Sequence, residues 1–247
     1  MCSKQNIYDN ETFFNGYKAL RADSVNYNIL LEQPIFRKLL PDLIDRYVLD
    51  VGCGMGDSCI FYEKIGAKKV IGIDISNKMI SEARRRTNSE MIKYYNTDMC
   101  DIEKLETRFD VITSSLAVHY IQDFDSLLKS VYHSLNSGGY FIFSQEHPLT
   151  TAPLQGVEYT YNENGDVIHY NLSDYMYSGI RKVEWFVDDV IVYHRPISEI
   201  INLLIQNNFI IEQIEESTPS NNALAQCPDM SKEFHKPSFL FVKAMKK

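Results

Sequence analysis

From residue 47 onward the chain alternates two hydrophobic rhythms. Short, largely apolar runs stand at Tyr47–Val51 (YVLDV), 69–73 (KVIGI), 92–95 (IKYY), 109–113 (FDVIT) and 140–143 (YFIF). Each is bounded by turn residues and reads as a strand. Between them lie segments with helical signals. Gly66 closes 57–65 as a C-cap, and Ser76 opens a helix running to about Arg86 as its N-cap. Leu127, Leu128, Val131 and Leu135 share one face of 124–135, and Gly138-Gly139 break that helix before the next strand. Strands alternating with helices predict an α/β fold, a parallel sheet with helices on both faces.

The two flanks depart from this rhythm. In residues 1–45 a polar, aromatic stretch precedes Leu31, Ile35, Leu39, Leu40 and Leu43 at helical spacing, cut by Pro34 and Pro41. Short helices forming an N-terminal cap are expected. Residues 145–196 read as a β-rich insertion. Asn164-Gly165 between YTY and VIHY signals one hairpin, and KVEWFV and VIVYHR around Asp188-Asp189 a second. The alternation then resumes with a helix at 198–207, a strand at 209–214 and a last strand at 238–242. Residues 1–247 are thus expected to form a single domain.

Composition narrows the class. The chain has 247 residues, 45% apolar and 23% charged, with a formal charge of −8. No basic stripe stands out beyond Arg84-Arg85-Arg86, which suits a helix C-terminus. Nucleic acid is disfavoured as a substrate. Five cysteines at 2, 53, 59, 100 and 227 form no C-x-x-C pair, so neither a metal site nor a short disulfide framework is expected. A polar N-terminus and the lack of a long apolar run predict a cytoplasmic chain off the membrane.

The chemistry centres on Asp50-Val51-Gly52-Cys53-Gly54-Met55-Gly56, between a strand and a helix. Glycines there let backbone approach a ligand beyond the carboxyl ends of the strands. Asp74 ends the next strand, 22 residues after Gly52, where an acid suits a ribose with free hydroxyls. NAD and S-adenosylmethionine both remain open on that evidence. The spacing G-x-G-x-G departs from the dinucleotide fingerprint, with Asp57 where the third glycine would fall. Asp50 would repel a pyrophosphate and attract a cationic sulfonium. No G-K-[ST] follows, so a Walker-type site is unsupported. Cys53 reads as a small residue beside the ligand.

These residues resemble the class I S-adenosylmethionine-dependent methyltransferases over about residues 46–145. VLDVGCGMG is similar to that family's first motif, VIGIDIS to the second, YYNTDM to the third and FDVITSSLAVHYIQD to the fourth. The resemblance implies a Rossmann-like, seven-stranded, mostly parallel sheet with its last strand antiparallel, which 238–242 would supply. It also implies that Asp74, with Ile75 beside it, binds the ribose. Asp98, between Thr97 and Met99, would meet the adenine, and Ser115 and Leu116 the methionine part. Tyr17 and Arg21 would close over the cofactor, Arg21 by pairing with its carboxylate or else standing as a surface cation. Ser114-Ser115-Leu116-Ala117 replaces the N-P-P-Y-type tetrapeptide of base-amine methylation, which fits small-molecule acceptors.

Methyl transfer to oxygen, or to an activated carbon acid, calls for a base. His119 and His147 follow the fourth and fifth strands at the ligand edge, and His194 ends the insertion; these are the catalytic candidates. The insertion's Tyr159, Tyr161, Tyr170, Tyr175, Tyr177, Trp185, Phe186 and Tyr193 could wall a substrate pocket, pack as a cap or form a homodimer surface. A substrate cap is favoured. Two rivals stand beside the methyltransferase reading, a non-catalytic S-adenosylmethionine-binding protein and a nicotinamide-dependent oxidoreductase.

Overall fold

Local capping chemistry and apolar runs set the elements of the computed structural model, which describes residues 5–155 and 158–247. The first four residues of the expected cap and two of the insertion lie outside these. A 3₁₀ turn, Ile7–Asp9, leads into α1 (Glu11–Ala22), capped by Asn10, whose side chain accepts from the Phe13 N–H. A π-helical turn, Asn28–Glu32, continues into α2 (Gln33–Leu39). Pro41 then forces Leu40 into an extended conformation. The alternation follows as β1 (Tyr47–Val51), α3 (Asp57–Lys64), β2 (Lys69–Asp74), α4 (Asn77–Arg86), β3 (Ile92–Asn96), β4 (Phe109–Ser115), α5 (Phe124–Ser134) and β5 (Leu135–Glu146). Ser76 caps α4 and Asp123 caps α5 through their side chains. Beyond β5 come α6 (Pro148–Thr151), the hairpins β6–β7 (Tyr159–Tyr161, Val167–Tyr170) and β8–β9 (Gly179–Trp185, Val187–His194), α7 (Ile197–Gln206) and β10 (Phe209–Glu216). The chain ends with α8 (Asn221–Gln226), a 3₁₀ segment (Pro228–Phe234) and β11 (Phe239–Lys246).

The main sheet has seven strands in the order β10-β11-β5-β4-β1-β2-β3. β1 to β5 run parallel, and β11 lies antiparallel between β5 and β10. Strand order reverses at β1, so a crevice opens at the carboxyl ends of β1 and β4. Leu49, Ile71, Ile112 and Phe141 bury one face of the sheet against Leu127, Leu128, Ile200 and Leu204. Val48, Val70, Val111 and Ile142 bury the other against Phe36, Tyr62 and Ile80. Fully burying such side chains contributes about 1.5–3 kcal/mol each.

Several boundaries differ from expectation, among them the far ends of β5 and β11, which run on to Glu146 and Lys246. β5 starts at Leu135 rather than at residue 140, because Leu135 pairs with Phe109 before a register shift. The Gly138-Gly139 break lies inside the strand, with Gly138 at φ +74°. The second hairpin turns at Phe186 (φ +58°), with Trp185 opposite Val187, and not at Asp188-Asp189. At this turn Phe13, fully buried, stands edge-on to Trp185 at 5.1 Å and to Phe186 at 5.5 Å. α8 and the 3₁₀ segment have no counterpart in the apolar pattern. Among the described residues, no helix is long and apolar enough to cross a membrane, and no three His, Cys, Asp or Glu cluster to hold a metal ion.

Candidate active site

The glycine loop runs from the end of β1 under the end of β2. The N–H groups of Gly52 and Cys53 both donate to the Ile73 carbonyl, at 2.8 and 2.9 Å. This double tether needs left-handed backbone, and Gly52, Gly54 and Gly56 have φ of +74°, +53° and +83°. A Cβ on Gly54 would meet nothing within 4 Å, whereas one on Gly56 would lie 2.3 Å from the Tyr94 hydroxyl. Gly54 therefore faces open space and Gly56 faces packed protein.

Above the loop lies a cavity of about 580 Å³. Tyr17, Arg21, Asp50, Gly52, Cys53, Gly54, Asp74, Ile75, Thr97, Asp98, Met99, Ser115 and Leu116 all line it. Gly56, expected among them, does not; it seats against Tyr94 instead. The Gly54 N–H donates to Asp74 Oδ2 at 2.9 Å and the Ser76 N–H to Oδ1 at 2.8 Å. Each carboxylate oxygen keeps a lone pair for a ligand hydroxyl. Burial pushes the Asp74 carboxyl up to about 6, against the pull of these two N–H groups. Asp98 spends one oxygen on the Cys100 N–H at 2.9 Å. Arg21 pairs with Asp57 at 3.3 Å.

Asp50 turns partly into the protein. It is only 2% exposed, accepting from Thr113 Oγ1 at 2.9 Å and from the Cys59 thiol at 3.6 Å. Burial raises it to about 7. Burial likewise pushes the Cys53 thiol well above its usual range, which agrees with a small packing residue rather than a nucleophile.

Leu116 holds a left-handed conformation (φ +51°) at the cavity wall. Its N–H donates to the Ser144 carbonyl and hydroxyl at 3.1 and 3.0 Å. Beneath it Glu32, 1% exposed, accepts from Ser115 Oγ at 2.9 Å and Ser144 Oγ at 2.6 Å. This carboxylate ties the helical cap to the ends of β4 and β5. It has no signal in the sequence, since its partners lie 83 and 112 residues away.

The three histidines part company. His119 lines the cavity, 3% exposed, with Nδ1 accepting from the Glu146 N–H at 3.4 Å. Burial pushes it down to about 3, so it is neutral near pH 7 and a poor base. His147 and His194 are absent from the cavity wall. His147 caps α6, accepting from the Leu149 N–H at 3.0 Å, and its Nε2 meets Glu216 at 2.9 Å. His194 bonds Thr151 Oγ1 and the Tyr175 carbonyl, both at 2.8 Å. Both rings have their two nitrogens engaged within the protein, away from the cavity in which a base was expected. Of the insertion's eight aromatics, Trp185 alone lines the cavity; Tyr161 and Tyr177 are exposed.

Other wall residues lie outside the expected set. Tyr8, from the N-terminal turn, donates to the Tyr120 hydroxyl at 3.4 Å, and both line the cavity. So does Glu146, raised to about 7 by burial against the opposing charge of Lys236. Its position at the end of a parallel strand is its only sequence signal. Among the described residues, five carboxylates (Asp50, Asp57, Asp74, Asp98 and Glu146) face the cavity against one arginine. An open glycine cradle under such a surplus fits a cationic nucleoside and opposes a diphosphate.

This fold with this site defines the class of S-adenosylmethionine-dependent methyltransferases, and the comparisons agree. A family model described as a methyltransferase domain matches residues 45–185. A Haemophilus influenzae protein is 40% identical over 256 aligned positions, covering 100% of this chain and 99% of its own. The crystal structure of a Listeria monocytogenes protein assigned to the S-adenosylmethionine-dependent methyltransferases superposes with a TM-score of 0.80 at 38% identity, covering 87% of this chain and 96% of that one. A Mesorhizobium loti S-adenosylmethionine-dependent methyltransferase gives 0.79 at 32% identity, covering 87% and 97%. The chain belongs to the methyltransferase-domain family and is S-adenosylmethionine-dependent. The nicotinamide alternative falls away.

Proposed function

We propose that the cavity binds S-adenosylmethionine over β1, β2 and β3 and presents its methyl group to a small molecule enclosed beside it. The observation that carries this is Asp74, held by the Gly54 and Ser76 N–H groups with lone pairs free for the ribose hydroxyls. Asp98 would receive the adenine amino group, with Ile75, Thr97 and Met99 around the base. Arg21, already turned to the cavity, would pair with the methionine carboxylate. Gly52 and Gly54 give the backbone access the ligand needs, and Leu116 shapes the methionine end. The bound cofactor supplies an activated methyl group; the protein contributes orientation and exclusion of water. The β8–β9 hairpin reaches the cavity through Trp185, whose ring packs on Phe13 of α1. That enclosure supports a small acceptor over a macromolecule.

Calorimetric titration with S-adenosylhomocysteine tests the cofactor half. Wild type binds, and Asp74→Ala weakens binding by at least about tenfold; unchanged affinity in the variant refutes the ribose assignment. Incubation of labelled cofactor with cell extract tests the acceptor half. Label recovered in protein or nucleic acid, and not in the low-mass filtrate, refutes a small acceptor.

A further inference from the structure

The cavity continues over β5 and β11, a region that S-adenosylmethionine, seated as proposed, leaves unused. A role for this region as the acceptor side rests on that cofactor assignment. Glu146 closes β5 here and faces the cavity. Its backbone is engaged, the N–H with His119 and the carbonyl with Gln145 Nε2 at 3.3 Å. Its carboxylate has no hydrogen-bond partner among the described residues. Lys236, the cation acting on it, is committed to Glu158 and lies over the Tyr159 and Tyr170 rings. Thr150 Oγ1, on the same wall, is buried and likewise has no partner among the described residues. Phe239 stands opposite Glu146 in the β11–β5 ladder, so their side chains share a face. Tyr8, Tyr120 and Trp185 complete the wall.

A half-buried carboxylate whose acting cation is committed to another acid favours a cationic ligand, and aromatic faces attract cations. Arg21 sits on the cofactor side, paired with Asp57, so an acidic ligand would find no free cation here among the described residues. A hydroxyl would leave the Glu146 charge uncompensated. We propose that this region is the methyl-acceptor subsite, that the acceptor is a primary or secondary amine on an apolar body, and that Glu146 pairs with its ammonium form and takes its proton.

The steps balance. One N–H proton passes to a Glu146 carboxylate oxygen, which frees the nitrogen lone pair. Thr150 Oγ1 accepts a second N–H and fixes the direction of that lone pair. S-Adenosylmethionine, when bound, supplies the methyl group: the N–C bond forms as the C–S bond breaks, and that electron pair stays on sulfur. Glu146 then returns its proton to water. A carboxyl near 7 is matched to holding a proton at neutral pH. The groups facing Glu146 are His119 and Tyr120 from the turn after β4, Tyr8 from the N-terminal turn, and Lys236 and Ser238 before β11. His119 is already neutral, and burial raises Tyr8 and Tyr120 far above this range.

Calorimetry with benzylamine, benzyl alcohol and benzoate tests the proposal, with and without S-adenosylhomocysteine. At pH about 8 wild type should bind benzylamine at least about tenfold more tightly than the other two. That preference should fade as pH falls through about 7, the value to which burial raises Glu146. Glu146→Gln should abolish both the preference and its pH dependence while binding S-adenosylhomocysteine like wild type; Thr150→Val should weaken benzylamine alone. Absence of benzylamine binding, equal affinity for benzoate or benzyl alcohol, or an unaltered preference in Glu146→Gln overturns it. The wild-type measurements stand even if the variants do not fold. Failure of S-adenosylhomocysteine to bind wild type sinks the cofactor reading separately, because the benzylamine titration is also read without it.

Discussion

Gly54 and Gly56 are two residues apart, share the left-handed backbone region and serve different ends. Gly54→Ala places its methyl group in open cavity, so its stability cost is the conformational one, about 1 kcal/mol. It should still weaken S-adenosylhomocysteine by at least about tenfold, because the added carbon stands where backbone must approach the ligand. Gly56→Ala pushes into Tyr94, which Thr87 holds at 3.0 Å, and should cost several kcal/mol, on the order of 3. Thermal unfolding and calorimetry on the two variants check this, and a reversed order of stabilities contradicts it. Asp50 makes a second residue-level case. Its folded-state pKa lies above the unfolded value, so the stability it contributes is present at low pH. That stability is lost as pH rises from about 4 through about 7. Asp50→Asn removes this slope. Urea unfolding should show the variant gaining on the order of 1–3 kcal/mol at pH about 8 and less at pH about 5.

The roof of the cavity belongs to elements distant in sequence. Asp9 accepts from Ser76 Oγ at 2.6 Å and from the Lys78 N–H at 3.1 Å, pinning the N-terminal turn to the start of α4. Gln5 accepts from the Ile191 N–H at 2.9 Å, pinning it to β9. Phe13 joins α1 to the β8–β9 turn by ring packing. Phe13→Ala should therefore cost about 3–5 kcal/mol and open amide exchange in α1 and β8–β9 together. Exchange that rises in α1 alone would refute the coupling. The same elements show where the sequence can be read and where it cannot. β1 to β4 and α4 lie within a residue or two of their apolar runs because local periodicity and caps decide them. The glycine loop, Asp74 and Asp98 are equally readable, since each closes a strand at one sheet edge. The β8–β9 turn departs from its local pattern, and its rings pack on Phe13, more than 170 residues earlier, a contact that local periodicity cannot show. His147 and His194 look available in one dimension because their partners Glu216 and Thr151 are joined to them only by folding. Glu146 escapes notice beside His147 for the converse reason: its place on the cavity wall is set by the fold and is invisible in one dimension.

For the whole molecule, the formal charge of −8 matters less than where the acids converge. Asp50, Asp74 and Glu146 close three strands of one sheet edge, and burial raises them to about 7, about 6 and about 7. All three are ionised above those values and neutral below them. At pH about 8 the cavity should favour a cation strongly, and at pH about 5 much less. S-Adenosylmethionine and S-adenosylhomocysteine differ by a methyl group and the sulfonium charge, so the ratio of their affinities reports this field. The ratio should favour S-adenosylmethionine at pH about 8 and shrink by several-fold, on the order of tenfold, toward pH about 5. Added salt should narrow it further at high pH, since the cavity is partly open to solvent. Paired calorimetric titrations across that range measure it. A constant ratio would mean that hydrogen bonds alone hold the ligand and that the converging carboxylates act one by one, with no common field at the methyl group.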